Sequence, residues 1–370
     1  MIIMALDHTR DFFHIDAMSF SPENLAKTNT ILFLTRWITH FCAPVFMFAA
    51  GLGAWLWLQG ASRTVPQLSA WLWKRGLWLV FLELTVLRFA FFFSLTSGPV
   101  LLTVLWALGW SMVALAFLVR IPIRWLAVLS LGVILLHNLT DPVSADRFGA
   151  FAWLWKVLHQ QGAVVVGGVV SITGYPLIPW IAVMAAGYCF GPILRMEPAA
   201  RRTWMLRLGA GMTLAFLALR SLNIYGDPTK WNGPLLSFLR VSKYPPSLDF
   251  LLMTLGPALL VLAAFDGRTF SKNNPLLVFG KAPLFYFLAH FYALHLLEFP
   301  LALLRYGKAA FLRNPLPSMG GQASLYPQGF GYPLWAVYLV WISIVIVMYP
   351  LCRWFNNCKG RTHSNWVRLF

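Results

Sequence analysis

The first apolar stretch of the chain ends in a cluster of ionisable side chains whose spacing suits acid–base chemistry. One helical face, by its i, i+3, i+4 and i+7 spacing, carries Asp7, Arg10, Asp11 and His14. His8 lies three residues before Asp11 and can meet it across one helical turn. A carboxylate beside an imidazole orients the ring and raises its basicity, which is the arrangement of a general base. We therefore predict a reactive site here, with the solvated end of a helix as the alternative.

The second apolar stretch offers two further candidates for the same site. Arg36 and His40 are four residues apart, so they share a helical face, and Pro44 follows them. The proline is expected to kink the helix and to free a backbone carbonyl near the bilayer interior. The alternative is that Arg36 extends to the membrane surface while His40 bonds a backbone carbonyl.

Ionisable residues recur in the third and ninth apolar stretches. Each one costs roughly 2.5–3.5 kcal/mol at the centre of a span, so each is a functional candidate by default. Glu83 and Arg88 lie on different faces of the third stretch, which predicts structural partners on other helices.

The ninth stretch carries a lysine and two histidines. Lys281 lies beside a Gly–Lys–Ala–Pro break near the predicted cytoplasmic end, where it can reach anionic lipid or a substrate phosphate. His290 lies deeper and is a candidate for the site, whereas His295 and Glu298 are expected at the outer surface.

The familiar motifs of other chemistries are absent from the sequence. There is no P-loop, no G-x-S-x-G turn, no H-E-x-x-H and no C-x-x-C. The eight histidines show no metal-ligand spacing, and no pair of histidines on facing helices is evident, so we predict no metal.

The elements that position these residues are membrane helices. Charged residues make up only 11% of the 370 residues, against about 25% in soluble proteins, and the mean hydropathy is +0.68. Apolar runs of about 20 residues recur along the chain, which excludes a soluble protein and a β-barrel. We predict an all-α, polytopic transmembrane helix bundle that forms one domain over 1–370.

We predict about ten spans, the first of which lacks its amino-terminal part. The spans lie at about 1–14, 30–58, 72–95, 99–119, 123–139, 175–194, 204–220, 247–265, 274–299 and 332–352. The segment 151–170 is interpreted as an interfacial helix followed by a re-entrant piece.

The formal net charge of +17 follows from basic residues in the loops on one side of the membrane. Arg63, Lys74, Arg120 and Arg201 lie in its short loops, and further basic residues lie in the carboxyl-terminal tail. The positive-inside rule accounts for this distribution without nucleic acid. It places both termini in the cytoplasm, with an even number of spans.

Five segments carry a resemblance to a known family, namely ALDHTRDFFH, TRWITHFCAPVFMFAAG, GYPLIPWIAVMAAGYCFG, KYPPSLDFLLMTLGPAL and GKAPLFYFLAHFYALH. Over essentially its whole length, the chain resembles a family of bacterial membrane proteins related to heparan-α-glucosaminide N-acetyltransferase, within the transmembrane acyltransferase superfamily. The resemblance implies a multi-pass enzyme of the inner membrane that takes acetyl-CoA from the cytoplasm. A membrane-embedded histidine would then help to move the acetyl group to a hydroxyl or amine of a sugar on the outer side.

The chain departs from the acetyltransferase at the residues that the resemblance would make catalytic. Where His8 lies, the acetyltransferase has an asparagine, and its catalytic histidine follows about one turn beyond the first helix, which makes His14 the nearest counterpart. His40, before Pro44, occupies the place of an aspartate. Relatives begin with a basic segment ahead of the first span, so this chain is expected to lack the cytoplasmic part of that helix.

Two functions follow from these residues. In an acetyl-CoA-dependent acyltransferase, a histidine is the general base, the carboxylates orient it, and the arginines stabilise charge near the carbonyl. The catalytic candidates are His14, His8, Asp7 and Asp11. The substrate- or cofactor-binding candidates are Arg10, Arg36, His40, Lys281 and His290. The partners would be membrane lipid, acyl-CoA and a glycan or amino-sugar acceptor, and a homodimer is compatible with them.

The alternative is a carrier or channel for a small polar or anionic solute, in which the same charges line a path.

Overall fold

The computed structural model describes residues 1–60, 62–96, 98–166, 168–308, 326–327 and 329–361. Its architecture is all-α and polytopic, as the apolar runs predict. The carboxyl-terminal tail beyond Arg361, which the charge analysis invoked, lies outside the described residues.

Helices cover each of the ten predicted spans. The first half of the chain forms α1 (Ile2–Phe13), α2 (Thr30–Thr39), α3 (Cys42–Leu58), α4 (Val65–Leu82), α5 (Arg88–Phe92), α6 (Val104–Leu118), α7 (Ile123–Leu136) and α8 (Ala152–Leu158). The second half forms α9 (Leu177–Phe190), α10 (Pro198–Leu222), α11 (Leu235–Leu239), α12 (Leu248–Phe265), α13 (Pro275–Lys281), α14 (Pro283–Tyr306) and α15 (Leu334–Arg361). A π-helical turn, Glu83–Leu87, lies between α4 and α5.

Seven helical segments among the described residues are long and apolar enough to cross a bilayer. They are Thr30–Leu58, Ile123–Thr140, Leu177–Arg195, Pro198–Leu222, Leu248–Phe265, Pro283–Tyr306 and Leu334–Arg361. The other three predicted spans, 1–14, 72–95 and 99–119, contain helices that are shorter, interrupted or more polar. The protein is therefore a membrane protein built from helices.

The span Thr30–Leu58 is interrupted near its middle. The Asn29 side chain accepts a hydrogen bond from Leu32 N at 2.9 Å and so caps the start of α2, which ends at Thr39. The next helix, α3, begins at Cys42, so Pro44 lies in its first turn, where a missing N–H costs nothing. The break therefore precedes the proline, whereas the sequence had predicted a kink at it.

A small sheet replaces the predicted re-entrant piece. It contains β1 (Val100–Leu102), β2 (Gly162–Val166) and β3 (Val169–Thr173) in the order β1-β3-β2. The strands β2 and β3 form an antiparallel hairpin, and β1 is parallel to β3. The run of β-branched valines in β2 and β3 favours strands over helix. The short helix α8 precedes the hairpin.

The described residues fall into two compact units. Unit 1 comprises Met1–Cys42, Thr85–Gly98 and Thr269–Phe370, and unit 2 comprises Ala43–Leu84 and Pro99–Arg268. The single domain over 1–370 stays a prediction.

Unit 1 holds α1 between longer helices. The Trp341 indole N–H of α15 donates to the Ile2 carbonyl at 2.8 Å, and the Tyr338 hydroxyl lies 2.7 Å from the Thr35 hydroxyl of α2. Hydrogen bonds of this kind can join helices where no water competes. The first bond holds the start of α1 beside α15, and the second joins α15 to α2.

Unit 2 contains close helix crossings that depend on glycine. A Cβ atom at Gly76 of α4 would lie 2.5 Å from the Gly109 carbonyl oxygen of α6. Small residues at such crossings let membrane helices approach closely, which substitutes for the hydrophobic driving force that lipid removes.

Candidate functional site

Two histidines from different helices of unit 1 meet in a direct contact. His8 Nδ1 of α1 lies 2.7 Å from His290 Nε2 of α14, and the rings are nearly parallel with centroids 4.9 Å apart. His290 is fully buried, whereas His8 is partly exposed. The sequence placed both residues in the membrane but did not pair them, and this pair corrects that expectation.

The hydrogen bonds of His290 assign the protons of both rings. His290 Nδ1 lies 2.9 Å from the Tyr286 carbonyl oxygen, which can only accept, so this nitrogen carries a proton. With both rings neutral, His290 Nε2 then holds a lone pair and accepts from His8 Nδ1–H. The nitrogen that is left without a proton and can act as a base is then His8 Nε2. This arrangement fixes the tautomer of His8 through a second residue, as in other histidine sites.

Aromatic rings of α14 surround His8. The Phe291 ring centroid lies 4.2 Å from the His8 centroid, and Phe287 meets His8 edge to face at 6.0 Å. Packing on several sides restricts the rotamers of an imidazole and preserves its hydrogen-bond direction. His8 is therefore a histidine held in one orientation at a partly accessible position.

A network of charges lies on the same helix as His8. Arg10 donates to Asp7 at 3.1 Å and to Asp11 at 2.5 Å, so the three residues share a face of α1 as their spacing predicts. Asp7 also accepts a short hydrogen bond from Arg36 of α2. The network joins α1 to α2.

Glu23 extends the network to the break in the second span. Its Oε1 atom lies 2.6 Å from His40 Nε2 and 3.9 Å from Arg36 Nε. His40 is buried at the end of α2, immediately before the chain leaves the helix. The sequence missed Glu23 because it lies in a loop, where helical periodicity does not apply. Its one signal was that the chain has only 12 acidic residues.

The charges of this network nearly balance. Asp7, Asp11 and Glu23 supply three negative charges against two from Arg10 and Arg36, and His40 can add a third positive charge. Because both guanidinium groups face carboxylates, they are better suited to hold the helices and the loop in place than to capture a free anion.

Two of the predicted site residues lie in other surroundings. His14 follows the last residue of α1, and its Nδ1 accepts from the Asp16 backbone N–H at 3.2 Å. Backbone hydrogen bonds join its neighbours Phe13 and Ile15 to Tyr332. Lys281 is exposed at the end of α13, next to the predicted break before α14.

His295 and Glu298 are buried inside unit 1, and their expected depth at the outer side of the membrane stays a prediction. His295 Nδ1 donates to the Ala90 carbonyl oxygen at 2.7 Å, and Phe93 stacks on the ring with centroids 3.7 Å apart. These contacts join α14 to the end of α5 within unit 1.

Glu83 and Arg88 bind backbone groups. The Glu83 carboxylate accepts from the backbone N–H groups of Thr103, Leu105 and Trp106 at 2.9, 3.1 and 3.2 Å. It therefore caps the start of α6, where the first N–H groups lack helical partners. Arg88 donates to the Gly98 carbonyl at 3.2 Å. Glu83 therefore has the partner on another helix that the sequence predicted, whereas Arg88 binds a carbonyl of the loop that follows α5.

No cluster of three or more metal-ligating side chains occurs among the described residues.

Comparison with known proteins identifies a family. The family model for heparan-alpha-glucosaminide N-acetyltransferase, catalytic, matches residues 1–226. No curated protein and no solved structure matches the chain. The matched region includes α1, the network around Asp7 and the break at His40.

Proposed function

Since the chain belongs to the heparan-alpha-glucosaminide N-acetyltransferase catalytic family, we propose that it is a membrane acetyltransferase that uses acetyl-CoA and modifies a sugar or glycan. The observation that carries this proposal is the contact between His8 and His290. It supplies an oriented imidazole on a partly exposed residue, as a general base in acyl transfer to a hydroxyl or amine requires.

His8 acts as the general base in this proposal. Its Nε2 takes the proton from the acceptor hydroxyl or amine as that group forms its bond to the acetyl carbonyl carbon. The thioester supplies the acetyl group, its carbon–sulfur bond breaks, and the proton held on His8 is returned to the thiolate. Throughout, His290 holds His8 Nδ1–H and keeps the ring in one tautomer.

The charged network positions His8 and shapes the field around it. Ion pairs of Arg10 with Asp7 and Asp11 stabilise the helical turn that bears His8. The ion pair of Arg36 with Asp7 joins that turn to α2. His40 holds Glu23 against the break in the span.

The donor is proposed to enter from the cytoplasmic side of the inner membrane and the acceptor from the outer side. Supporting this, Lys281 is exposed at the end of α13, just before α14 begins, and His290 lies about 10 Å along α14 from Pro283 at 1.5 Å per residue. A lysine in that place can pair with a phosphate of the donor. His14, which follows the carboxyl-terminal end of α1, is the second candidate for the general base.

The direct test uses purified full chain, radiolabelled acetyl-CoA and a panel of amino sugars and envelope glycans. We expect His8→Gln to lower kcat by about 10²–10⁴-fold, the usual contribution of a general base. His14→Gln measured beside it distinguishes the two candidates, since only loss of the base should produce the full effect. Equal activity of His8→Gln and the unmodified chain would overturn the assignment of His8.

Transport is the competing function, and the interruption of the span Thr30–Leu58 is the observation that favours it. Broken helices with polar residues near the bilayer midplane are common in transporters. Uptake of amino sugars into liposomes in the absence of acetyl-CoA, without any acetylated product, would replace the enzyme proposal with the transporter. Acetylated product from the same preparation excludes that outcome.

A further inference from the structure

Two proline-bearing segments, GYPLIPW and KYPPSLDF, meet in unit 2 and have no part in the proposed acetyl transfer. Tyr175 precedes α9 and Tyr244 precedes α12. The Tyr244 hydroxyl donates to the Tyr175 hydroxyl at 3.3 Å, and the rings meet nearly edge to face with centroids 4.9 Å apart. Trp180 packs on Tyr175 at 5.6 Å. We call these three residues, Tyr175, Trp180 and Tyr244, the aromatic corner.

Lys243 places its ammonium group on the aromatic corner. Its Nζ atom lies 5.1 Å from the centre of the Tyr244 ring, and the residue is only 6% exposed. Within the part of the chain that the structure describes, Lys243 has no carboxylate at ion-pair distance and its Nζ has no hydrogen-bond acceptor. A ring face offsets part of the cost of burying an ammonium group, but it supplies no counter-charge.

Two neighbouring ionisable residues of this loop, Asp227 and Lys230, have partners of their own. Asp227 accepts from Ser242 N at 2.7 Å and from the Ser247 hydroxyl at 2.6 Å, and it lies 3.9 Å from Arg220. Burial raises the pKa of Asp227, which further weakens it as a counter-ion. Lys230, in the same loop, is exposed and donates to the Ile224 carbonyl at 2.8 Å. Lys243 is therefore the buried cation of this loop that lacks an internal counter-ion among the described residues.

We propose that Lys243 and the aromatic corner bind an acidic sugar. The ammonium group pairs with a carboxylate, sulfate or phosphate of the sugar, because an oxyanion completes the shell of a buried cation. The tyrosine rings pack against the apolar face of the sugar ring, and their hydroxyls bond its hydroxyl groups. This site goes beyond the proposed acetyl transfer, since binding requires neither donor nor reaction.

The experiment measures binding to the full chain in nanodiscs of neutral lipid, with glucuronic acid and glucose 6-phosphate as acidic probes and glucose as the neutral one. We expect the acidic sugars to bind at least about tenfold more tightly than glucose. Lys243→Met should weaken acidic sugars at least about tenfold, as loss of one member of a desolvated charge pair does. The matched control is Lys230→Met, which removes an exposed lysine of the same loop and should leave binding unchanged.

A phosphate of an anionic lipid has the same chemistry, so a second arm uses nanodiscs that contain phosphatidylglycerol and measures lipid retention by native mass spectrometry. Retention that depends on Lys243, without binding of either acidic sugar, would overturn the sugar proposal and assign the site to lipid. Equal binding of glucose and glucuronic acid, or unchanged binding in Lys243→Met, would overturn it as well.

Folding of the variant is checked by thermal unfolding without ligand. Because Lys243→Met removes an uncompensated buried charge and retains the side-chain volume, we expect no loss of thermal stability. If that variant does not fold, Tyr244→Phe serves in its place. Removal of the hydroxyl should weaken acidic sugars about threefold or more, since one hydrogen bond is lost, and unchanged binding would contradict the proposal.

Discussion

At the residue scale, the candidate site depends on which nitrogen of each histidine carries its proton. One backbone carbonyl, that of Tyr286, assigns the proton of His290, and His290 in turn assigns that of His8. His8 itself lies on a short helix with a charged network on both sides of it. In the proposed mechanism His290 is a positioning residue, so its replacement should impair catalysis although it does not contact the substrate.

We expect His290→Phe to lower kcat at least about tenfold with little change in KM. The phenyl ring occupies the place of the imidazole but cannot accept from His8 Nδ1–H, so the tautomer is no longer fixed. His290→Gln should restore part of the rate, because its side-chain oxygen can accept that hydrogen. Steady-state kinetics of the two variants check this, and equal losses of kcat in both would instead indicate a packing role.

A second prediction concerns the ion pair between Arg36 and Asp7. Arg36→Met should lower the free energy of unfolding by about 2 kcal/mol, because it leaves a largely buried carboxylate with one cation fewer. Unfolding by sodium dodecyl sulfate in mixed micelles measures it. In the double variant Arg36→Met/Asp7→Leu, part of the loss should return, and a simple sum of the two single losses would show that the pair is not coupled.

Helical spacing predicted part of this site and failed where the helix ends. Asp7, Arg10 and Asp11 share a face, as their i, i+3, i+4 spacing requires. His14 lies one residue beyond α1, where the helical register no longer applies. Glu23 lies in a loop, and the contact between His8 and His290 joins positions that no local pattern relates.

At the element scale, helix ends and helix breaks organise both units. Glu83 of unit 2 caps α6 from another part of the chain, and His40 of unit 1 lies at the end of α2 beside Glu23. In the membrane, an unpaired N–H or C=O group is costly, so side chains that satisfy helix ends contribute more than surface charges do. The sequence indicated that Glu83 was unusual without revealing which backbone groups it binds.

We expect Glu83→Ala to destabilise the protein by about 2–3 kcal/mol, because it leaves the N–H groups of Thr103, Leu105 and Trp106 without an acceptor. Glu83→Gln, which retains one oxygen, should cost less. The matched control is Glu197→Ala, since Glu197 precedes α10, is exposed and makes no capping bond. Chemical unfolding measures the three variants, and equal effects of Glu83→Ala and Glu197→Ala would contradict the capping role.

At the scale of the whole molecule, charge is distributed unevenly between the two ends of the helices of unit 2. The half where α3, α6, α9 and α12 end carries ten basic and two acidic residues. The opposite half carries six basic and five acidic residues. This asymmetry supports the proposed topology, in which the strongly basic half faces the cytoplasm.

Cysteine labelling of intact cells tests the topology. In a variant without the four native cysteines, we expect Ser144→Cys, in the opposite half, to react with a membrane-impermeant maleimide added outside. Thr203→Cys, in the basic half, should react only after the membrane is permeabilised. The reverse pattern would invert the proposed orientation.

Composition was sufficient for the fold class, because a chain with 11% charged residues and long apolar runs can satisfy its backbone in a membrane only by forming helices. It was insufficient for the sheet of β1, β2 and β3, whose strands are short and whose first strand is far from the other two in the sequence. Composition could not predict the division into two units either, because apolar helices have similar compositions whichever neighbours they pack against.

The contact between His8 and His290 also has a consequence for the biosynthesis of the protein. Its two residues are 282 positions apart, and α1 leaves the ribosome long before α14 is made. In the nascent chain, His8 therefore lacks His290, the residue that fixes its tautomer, until the ninth predicted span has been inserted. A chain released early would carry His8 and the charged residues of α1 in the membrane without His290 to orient the His8 ring. The candidate site is therefore incomplete until synthesis is nearly finished.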